Sequence, residues 1–412
     1  MIQPELNKDV LYRLIGEFHY PLSHEMYQSP TYWKSRVQDV TYDKFILSIE
    51  RNNISYVKYT LLENLIDPSI NNNEAIYEAV RKRHIEIVKL LLKDKRVDPS
   101  VDDNEVVREA VINGHIEVVK LLLKDERVDP SANDNEAIGE ASSNGYTEIV
   151  RLLLKDERVD PSDNDNWAIR QSASNDNIEV VRLLLKDERV DPSDNDNEAI
   201  GSASKHGLIK IARLLLEDER VDPSDDDNAA IRSAARYGHT KIVRILLKDE
   251  RVDPGADDNA AIMSAASEDH IKVVRLLLKD ERVDPSADDN AAIKFASKHG
   301  HIEITRLLLE DERIDPSANN NEAIRGAARD GHTEVVKLLL EDGRVDPSAN
   351  NNQAIIWAAR NDHIEVVKLL LEDERVDPSA NDNAAIEFAT RYGHTDIVSV
   401  LLEDERVDLG AI

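Results

Sequence analysis

The chain has 412 residues, of which 82 are acidic and 52 are basic, so its formal net charge is −30. Charge of this sign disfavours binding to nucleic acids and to anionic membrane surfaces, which both require clustered basic residues. The chain has no cysteine, which excludes disulfides, zinc–thiolate sites and thiol catalysis.

An Asp-Pro pair recurs every 31 residues from Asp67-Pro68 to Asp377-Pro378, and Asp408-Leu409 keeps the spacing without the proline. A fixed period of about 20–50 residues is typical of stacked supersecondary units. Counting back from the C-terminus, about twelve units reach residue 42. We therefore divide the chain into a head, residues 1–41, and a repeat array, residues 42–412.

The head differs from the array in composition, since ten of the 18 aromatic residues lie within residues 1–59. No basic segment followed by an apolar run opens the chain. We therefore expect neither a signal peptide nor a membrane-spanning segment, and a cytoplasmic location.

Residues 135–165 illustrate one repeat. Asn135 opens it, and asparagine holds this position in all eleven regular repeats, so we expect its side chain to cap the first helix. Gly145 is expected to end that helix in the left-handed conformation. A second helix, from Thr147 to about Lys155, is apolar over most of its circumference. Because one repeat cannot cover this helix alone, neighbouring repeats must pack against it.

This helix–turn–helix–loop unit resembles the ankyrin repeat. The segment Gly114-His115-Ile116-Glu117-Val118-Val119-Lys120-Leu121-Leu122-Leu123 is similar to the second-helix motif of that family and recurs with small changes through residue 402. The period departs from the family's usual period of about 33 residues. The first helices also open with Asn-(Glu/Ala)-Ala-Ile instead of Thr-Pro-Leu-His. We therefore expect the β-hairpin between repeats to be reduced to a turn.

The resemblance implies an all-α solenoid of about twelve helix pairs that binds a partner protein on the concave face made by first helices and loop tips. It also implies no enzymatic activity and no cofactor. The short Arg-Val-Asp-Pro-Ser version of the repeat is similar to repeats of large DNA viruses and their protist hosts. A viral origin would place the protein in the host-cell cytoplasm.

The segment from Leu6 to Phe18, with Tyr32-Trp33 downstream, resembles an F-box. That resemblance implies that residues 6–33 dock on the adaptor of a cullin-type ubiquitin ligase. Asn7 stands where the family usually has proline, and the gap to Trp33 is shorter than usual. The alternative interpretation is a helical cap that covers the apolar end of the first repeat.

Two residue classes suggest metal sites. Stacked helices lie about 8–10 Å apart, so histidines of successive repeats cannot share a metal at about 2 Å per bond. We interpret the histidines at one repeat position as structural: His84, His115, His239, His270, His301, His332, His363 and His394. Acidic loop tips such as Asp225-Asp226-Asp227 lack the glycine turn and distal glutamate of a calcium loop. We expect no metal site and no catalytic residue.

With the asparagine as position one, positions five and nine lie on one strip of the first helix, which we place on its outward side. In the eleven regular repeats this strip carries one acid, Glu387, and twelve basic residues: Arg81, Arg108, Arg170, Lys205, Arg232, Arg236, Lys294, Lys298, Arg325, Arg329, Arg360 and Arg391. A basic strip in so acidic a chain indicates a partner with an acidic surface. The competing explanation is structural, since cations are favoured near a helix C-terminus and offset the loop acids.

Positions two and six are acidic in the N-terminal repeats and carry Phe295, Trp357 and Phe388 in the C-terminal ones. Aromatic residues beside arginines are typical of interface hot spots. We therefore predict a binding groove between Arg232 and Tyr392. Its proposed contact residues are Arg232, Arg236, Lys294, Phe295, Lys298, Arg325, Arg329, Trp357, Arg360, Phe388 and Arg391. The alternative is that the aromatic side chains cover neighbouring helices.

The final repeat keeps Ile386, Val398, Leu401 and Leu402 and shows no polar replacement on its outer face. Solenoid ends normally carry a polar cap, so either the last ten residues or another subunit must cover this end. The sequence thus predicts a protein-interaction scaffold of open oligomeric state. The alternatives are a ubiquitin-ligase substrate receptor and an assembly subunit with end-to-end contacts.

Overall fold

A computed structural model describes residues 40–407 of the chain. Within that range there are 24 helices and no strand. The chain divides into two compact units, one ending at Asn164 and the other beginning at Asp165. The predicted head lies outside the described residues except for its last two positions, and so does the whole F-box-like segment 6–33.

In the first unit each repeat contributes a first and a second helix, and first helices pack against first helices of adjacent repeats. The helices are α1 (Tyr42–Glu50), α2 (Ile54–Leu62), α3 (Ile70–Arg81), α4 (Ile85–Lys93), α5 (Val101–Ile112), α6 (Ile116–Leu122), α7 (Ala132–Ser143) and α8 (Thr147–Leu153).

The second unit repeats this arrangement, and both its first and its second helices form consecutive packed rows. Helix α9 (Asp163–Ser174) contains the boundary between the units. It is followed by α10 (Ile178–Leu184), α11 (Asp194–Lys205), α12 (Ile209–Leu216), α13 (Asp225–Arg236), α14 (Thr240–Leu246), α15 (Ala256–Ser267), α16 (Ile271–Leu277), α17 (Ala287–Lys298), α18 (Ile302–Leu309), α19 (Ala318–Arg329), α20 (Thr333–Leu340), α21 (Ala349–Arg360), α22 (Ile364–Leu371), α23 (Ala380–Tyr392) and α24 (Thr395–Leu402).

Three residues in the left-handed conformation lie at the start of each regular first helix. Asp288, Asp289 and Asn290 have φ values of 51°, 52° and 62°, and the same three positions have positive φ in every regular repeat. Asparagine and aspartate adopt this conformation at lower cost than other residues with a Cβ atom. This explains why only Asn and Asp occupy these positions, from Asn71 to Asn383. The regular right-handed helix begins after the third of them, and this left-handed turn stands where a β-hairpin would be.

The predicted capping role of the position-one asparagine is wrong. A helix-capping residue normally has an extended backbone, whereas Asn290 has positive φ. Its Oδ1 accepts a 2.7 Å hydrogen bond from the backbone N–H of Asp315 in the next repeat. Equivalent bonds of 2.7–2.8 Å occur in ten successive repeats, from Asn73–Asp98 to Asn352–Asp377. This asparagine therefore connects adjacent repeats.

The loop arginine of each repeat makes a second connection. Arg313 forms a bidentate ion pair with Asp311, with Nε–Oδ1 and Nη2–Oδ2 distances of 2.9 and 2.7 Å. Its guanidinium also donates to Val283 O at 2.9 Å and to Leu278 O at 3.0 Å, both in the preceding repeat. The hydrogen bonds from Arg313 lower the pKa of the Asp311 carboxyl. Two carbonyls at the end of one repeat are thus satisfied by the next.

The histidines connect repeats at the opposite end of the helices. His363 Nε2 donates to Arg329 O at 2.9 Å, and seven of the eight histidines donate to a carbonyl of the preceding repeat. A Cβ on Gly331, whose φ is +81°, would lie 2.6 Å from the His363 ring. Glycine at this position therefore ends the first helix in the predicted left-handed conformation and also admits the next histidine.

Candidate functional site

The prediction that position five lies on the outward side of the first helix is wrong. Ile356, at this position in α21, is only 7% exposed. Arg325 is half-buried, donates to Gln353 of the next repeat and to Asn320 O at 2.9 Å, and burial lowers the pKa of its guanidinium. Lys294 approaches Glu322 of the next repeat at 3.9 Å. Positions five and two of successive repeats thus form pairs that hold first helices together.

Arg232 also pairs with an acidic residue of the next repeat, although position two of that repeat is alanine and the acid lies elsewhere. Its Nη1 lies 2.5 Å from Asp257 of the next repeat, and its Nη2 donates to Asp226 O at 2.8 Å. Arg236 is exposed, but position six of the following repeat is Ser264, which offers no ring. The structure therefore does not bring these two predicted contact residues together with the aromatic ones.

Position nine, by contrast, extends over position six of the next first helix. The Arg329 guanidinium carbon lies 5.6 Å from the centre of the Trp357 ring, and that of Arg325 lies 5.8 Å from it. One repeat later, the Arg360 guanidinium carbon lies 5.4 Å from the centre of the Phe388 ring. The same repeat-to-repeat offset thus places a cation against an aromatic ring twice in succession.

The final first helix extends this arrangement. Arg391 lies 5.5 Å from the Phe388 ring centre, and Phe388 stacks on Tyr392 at 6.4 Å. Arg360 also lies 5.8 Å from the Tyr392 ring. We call the set Arg325, Arg329, Trp357, Arg360, Phe388, Arg391 and Tyr392 the cation–aromatic ladder. Tyr392, half of whose surface is exposed, is a ladder residue that the predicted contact set omits.

The cations of the ladder differ in how they are paired. Arg329 forms a bidentate ion pair with Asp330, at 2.8 and 3.0 Å, and this hydrogen bonding lowers the pKa of the Asp330 carboxyl. Arg391 pairs with Glu387 on its own helix. Arg360 is exposed, and among the described residues it has no carboxylate within ion-pair distance. Its guanidinium therefore lies on two aromatic rings with its charge uncompensated, an arrangement worth about 0.5–1 kcal/mol per contact at exposed sites.

Phe295 and Lys298 form a separate patch on α17. Phe295 is 38% exposed and stacks on His299 at 6.4 Å, and Lys298 is also exposed. Position six of the next repeat is Gly326, which offers no ring to Lys298; a Cβ there would lie 3.5 Å from Lys298 Cβ. This glycine separates Phe295 and Lys298 from the ladder.

Two general features of the described part bear on other kinds of site. Across residues 40–407, no three His, Asp or Glu side chains come together in a way that could hold a metal ion. Among the helices of that range, none combines the length and apolar composition needed to cross a bilayer.

Family models match most of the chain. A model of ankyrin repeats in three copies matches the segments 107–196, 138–227, 167–260, 200–289, 231–320, 262–351 and 324–411. A single ankyrin repeat model matches residues 71–104. A comparison with curated proteins finds no significant match.

Proposed function

Because the chain belongs to the ankyrin repeat family, whose members are protein-interaction scaffolds, we propose that its last repeats bind a protein partner through the cation–aromatic ladder. The observation that carries this proposal is Arg360, an exposed arginine that lies on Phe388 and Tyr392 and has no carboxylate partner among residues 40–407. Aromatic and arginine side chains in contact with one another are the residue types that dominate binding energy at protein interfaces.

The ladder offers a partner two kinds of contact. The partly exposed rings of Trp357 and Phe388 offer apolar area, and the guanidinium of Arg360 offers hydrogen-bond donors in a planar fork that matches a carboxylate. Stacking between ring and guanidinium holds both side chains in place before binding, which reduces the conformational entropy that binding costs. A partner with an acidic residue next to an apolar one would therefore fit this surface.

Affinity capture from a eukaryotic lysate, quantified by mass spectrometry, tests the proposal. The full chain is compared with the double variant Arg360→Glu, Phe388→Ala. We expect the partners of the wild-type chain to be depleted at least about tenfold, since a hot-spot residue contributes about 2 kcal/mol or more.

The matched control changes the equivalent two positions, nine of one repeat and six of the next, earlier in the array. Lys205→Glu with Ser233→Ala alters position nine in the same sense, and we expect it to retain every partner. If the Arg360 and Phe388 variant retrieved all wild-type partners in wild-type amounts, the ladder would not be the binding surface.

Leu402 supports the second candidate function, an assembly subunit with contacts at the C-terminal end. It is 47% exposed, whereas the corresponding Leu371 and Leu340 are only partly exposed. An exposed leucine at the end of the described row of second helices favours a covering partner. Sedimentation equilibrium tests this candidate: self-association that Leu402→Glu abolishes would support it, and a monomer at high concentration would reject it.

A further inference from the structure

The second helices of three successive repeats differ from all the others in charge. In eight regular repeats, the second residue of the second helix motif is acidic: Glu86, Glu117, Glu148, Glu179, Glu303, Glu334, Glu365 and Asp396. In the three consecutive repeats of α12, α14 and α16, this residue is Lys210, Lys241 or Lys272. The charge at this helix position is therefore reversed in three consecutive repeats.

In five of these eight repeats the acid forms an ion pair with a cation three residues further along the helix. Glu86 pairs with Lys89 at 2.7 Å, Glu117 with Lys120 at 2.6 Å and, in the second unit, Glu365 with Lys368 at 2.9 Å. In the three exceptional repeats the cation stays and the acid is lost. Arg213, Arg244 and Arg275 are all exposed, and no carboxylate lies within ion-pair distance of them among the described residues.

Lys248 and Lys279 add two further exposed cations near the ends of α14 and α16. We call the eight residues the second-helix basic strip: Lys210, Arg213, Lys241, Arg244, Lys248, Lys272, Arg275 and Lys279. Within a helix its cations are about 5–6 Å apart, and adjacent helices are about 8–10 Å apart. In a chain of net charge −30, this is a compact basic surface.

Folding does not explain the three lysines. Each lies in the first turn of its helix, where the dipole favours an acid and disfavours a cation, and none of the three helices has an acid in its first turn. None of the lysines forms an ion pair within the described residues. Their position thus costs stability that the glutamate of the other repeats would supply, which indicates a role outside the fold.

We propose that the second-helix basic strip binds an acidic polypeptide segment. Exposed glutamates follow the three helices: Glu217 and Glu219 after α12, Glu250 after α14 and Glu281 after α16. These acids would repel the wide, uniformly charged surface of a nucleic-acid duplex or a bilayer, but a segment of peptide width can lie between them. The strip also contains no aromatic residue on which bases could stack and none that could insert into lipid. This surface is distinct from the ladder and does not depend on it.

Fluorescence anisotropy with the full chain tests the proposal. The probe is a fluorescein-labelled oligoglutamate of about twelve residues, because an extended chain rises about 3.3 Å per residue and three stacked repeats span roughly 30 Å. The variant is Lys210→Glu, Lys241→Glu, Lys272→Glu. We expect its affinity for the probe to fall at least about tenfold, since each exposed ion pair lost contributes a factor of a few. Added salt should weaken binding to the wild-type chain.

The variant restores the glutamate found in the other repeats, so it should melt at the wild-type temperature or above, and loss of fold cannot explain loss of binding. The matched control, Lys93→Glu, Lys124→Glu, Lys155→Glu, changes the net charge equally in the first unit, and Glu217 and Glu310 already occupy that helix position in other repeats. It should bind the probe as the wild-type chain does. Equal loss in the control would overturn the proposal. So would strip-dependent binding of duplex DNA or phosphatidylserine vesicles without binding of the peptide.

Discussion

Asn290 Oδ1 accepts a 2.7 Å hydrogen bond from the backbone N–H of Asp315, 25 residues later in the next repeat. Asn290 is only 7% exposed, so this N–H would lack a partner in a sheltered environment if the side chain were removed. The bond recurs at almost constant length along the array, and the Asp-Pro loop of each repeat is therefore fixed by the repeat before it.

Asn290→Gly should lower the free energy of unfolding by about 1–3 kcal/mol, because it leaves the Asp315 N–H unsatisfied while keeping positive φ accessible. Asn290→Ala should cost about 1–2 kcal/mol more, since alanine disfavours that backbone conformation. Urea unfolding followed by circular dichroism measures both, with Asp289→Asn as a neutral control on the same turn. A glycine variant as stable as the wild type would show that the bond contributes nothing.

Arg313→Lys should destabilise the chain by about 1–3 kcal/mol, although it conserves charge. A single ammonium cannot hold the bidentate pair with Asp311 and also donate to Val283 O and Leu278 O. Arg306→Lys, an exposed arginine on the preceding second helix, is the control and should change stability by less than about 0.5 kcal/mol. Equal thermal midpoints for the two variants would contradict the connecting role of the loop arginine.

Gly331→Ala and Gly393→Ala distinguish two reasons for glycine at this repeat position. One is the left-handed backbone conformation, and the other is the close approach of the next histidine. Both glycines have similar φ, +81° and +79°, but a Cβ on Gly331 meets His363 at 2.6 Å, whereas one on Gly393 meets no atom of the described residues within 4 Å. Both substitutions should lower the free energy of unfolding by about 1–2 kcal/mol, because alanine disfavours the left-handed backbone conformation. Only Gly331→Ala should also displace the histidine, so its thermal midpoint should be the lower. Identical midpoints would mean that the contact relaxes without cost.

The loop aspartates make stability depend on pH in the acid range. Hydrogen bonds from the arginine two residues later lower the pKa of these carboxyls, as at Asp280 and Asp311. A depressed folded pKa means that their contribution is fully present above the unfolded value of about 3.9 and is lost as the pH falls through the lower folded value. The thermal midpoint should therefore stay constant near neutral pH and should decrease once the pH is lower than about 4.

The double variant Asp280→Asn, Asp311→Asn should have a lower thermal midpoint at pH 7. Its midpoint should also decrease less as the pH falls, because two of the titrating carboxyls are absent. Asp258→Asn, on an exposed left-handed turn, should leave the curve unchanged. A double variant with the same slope as the wild type would assign the acid sensitivity to other carboxyls.

The period, the helix pair and the left-handed glycine were predictable because each depends on local preferences repeated along the chain. The role of Asn290 was not predictable, because asparagine suits both a helix cap and a left-handed turn. Only the offset between adjacent repeats determines which of the two it forms. The sequence did indicate the left-handed turn, since only Asn and Asp occupy the three consecutive positions that form it.

Position five was misplaced because a single helix does not show which side its neighbour covers. Two features of the sequence indicated this: Ile356 occupies the position in one repeat, and cation–acid pairs recur 28 residues apart, as in Arg108–Glu136 and Arg170–Glu198. The contact between Arg360 and Phe388 could not be predicted, since it depends on how far each helix is displaced from the next.

Photo-crosslinking shows whether a partner protein contacts the ladder when it binds. Benzoylphenylalanine is placed at Phe388 in one variant and at Ser202, the same helix position in an earlier repeat, in the other. We expect the protein recovered by affinity capture to crosslink at position 388 and not at position 202. Equal crosslinking at both positions, or crosslinking at 202 alone, would contradict it.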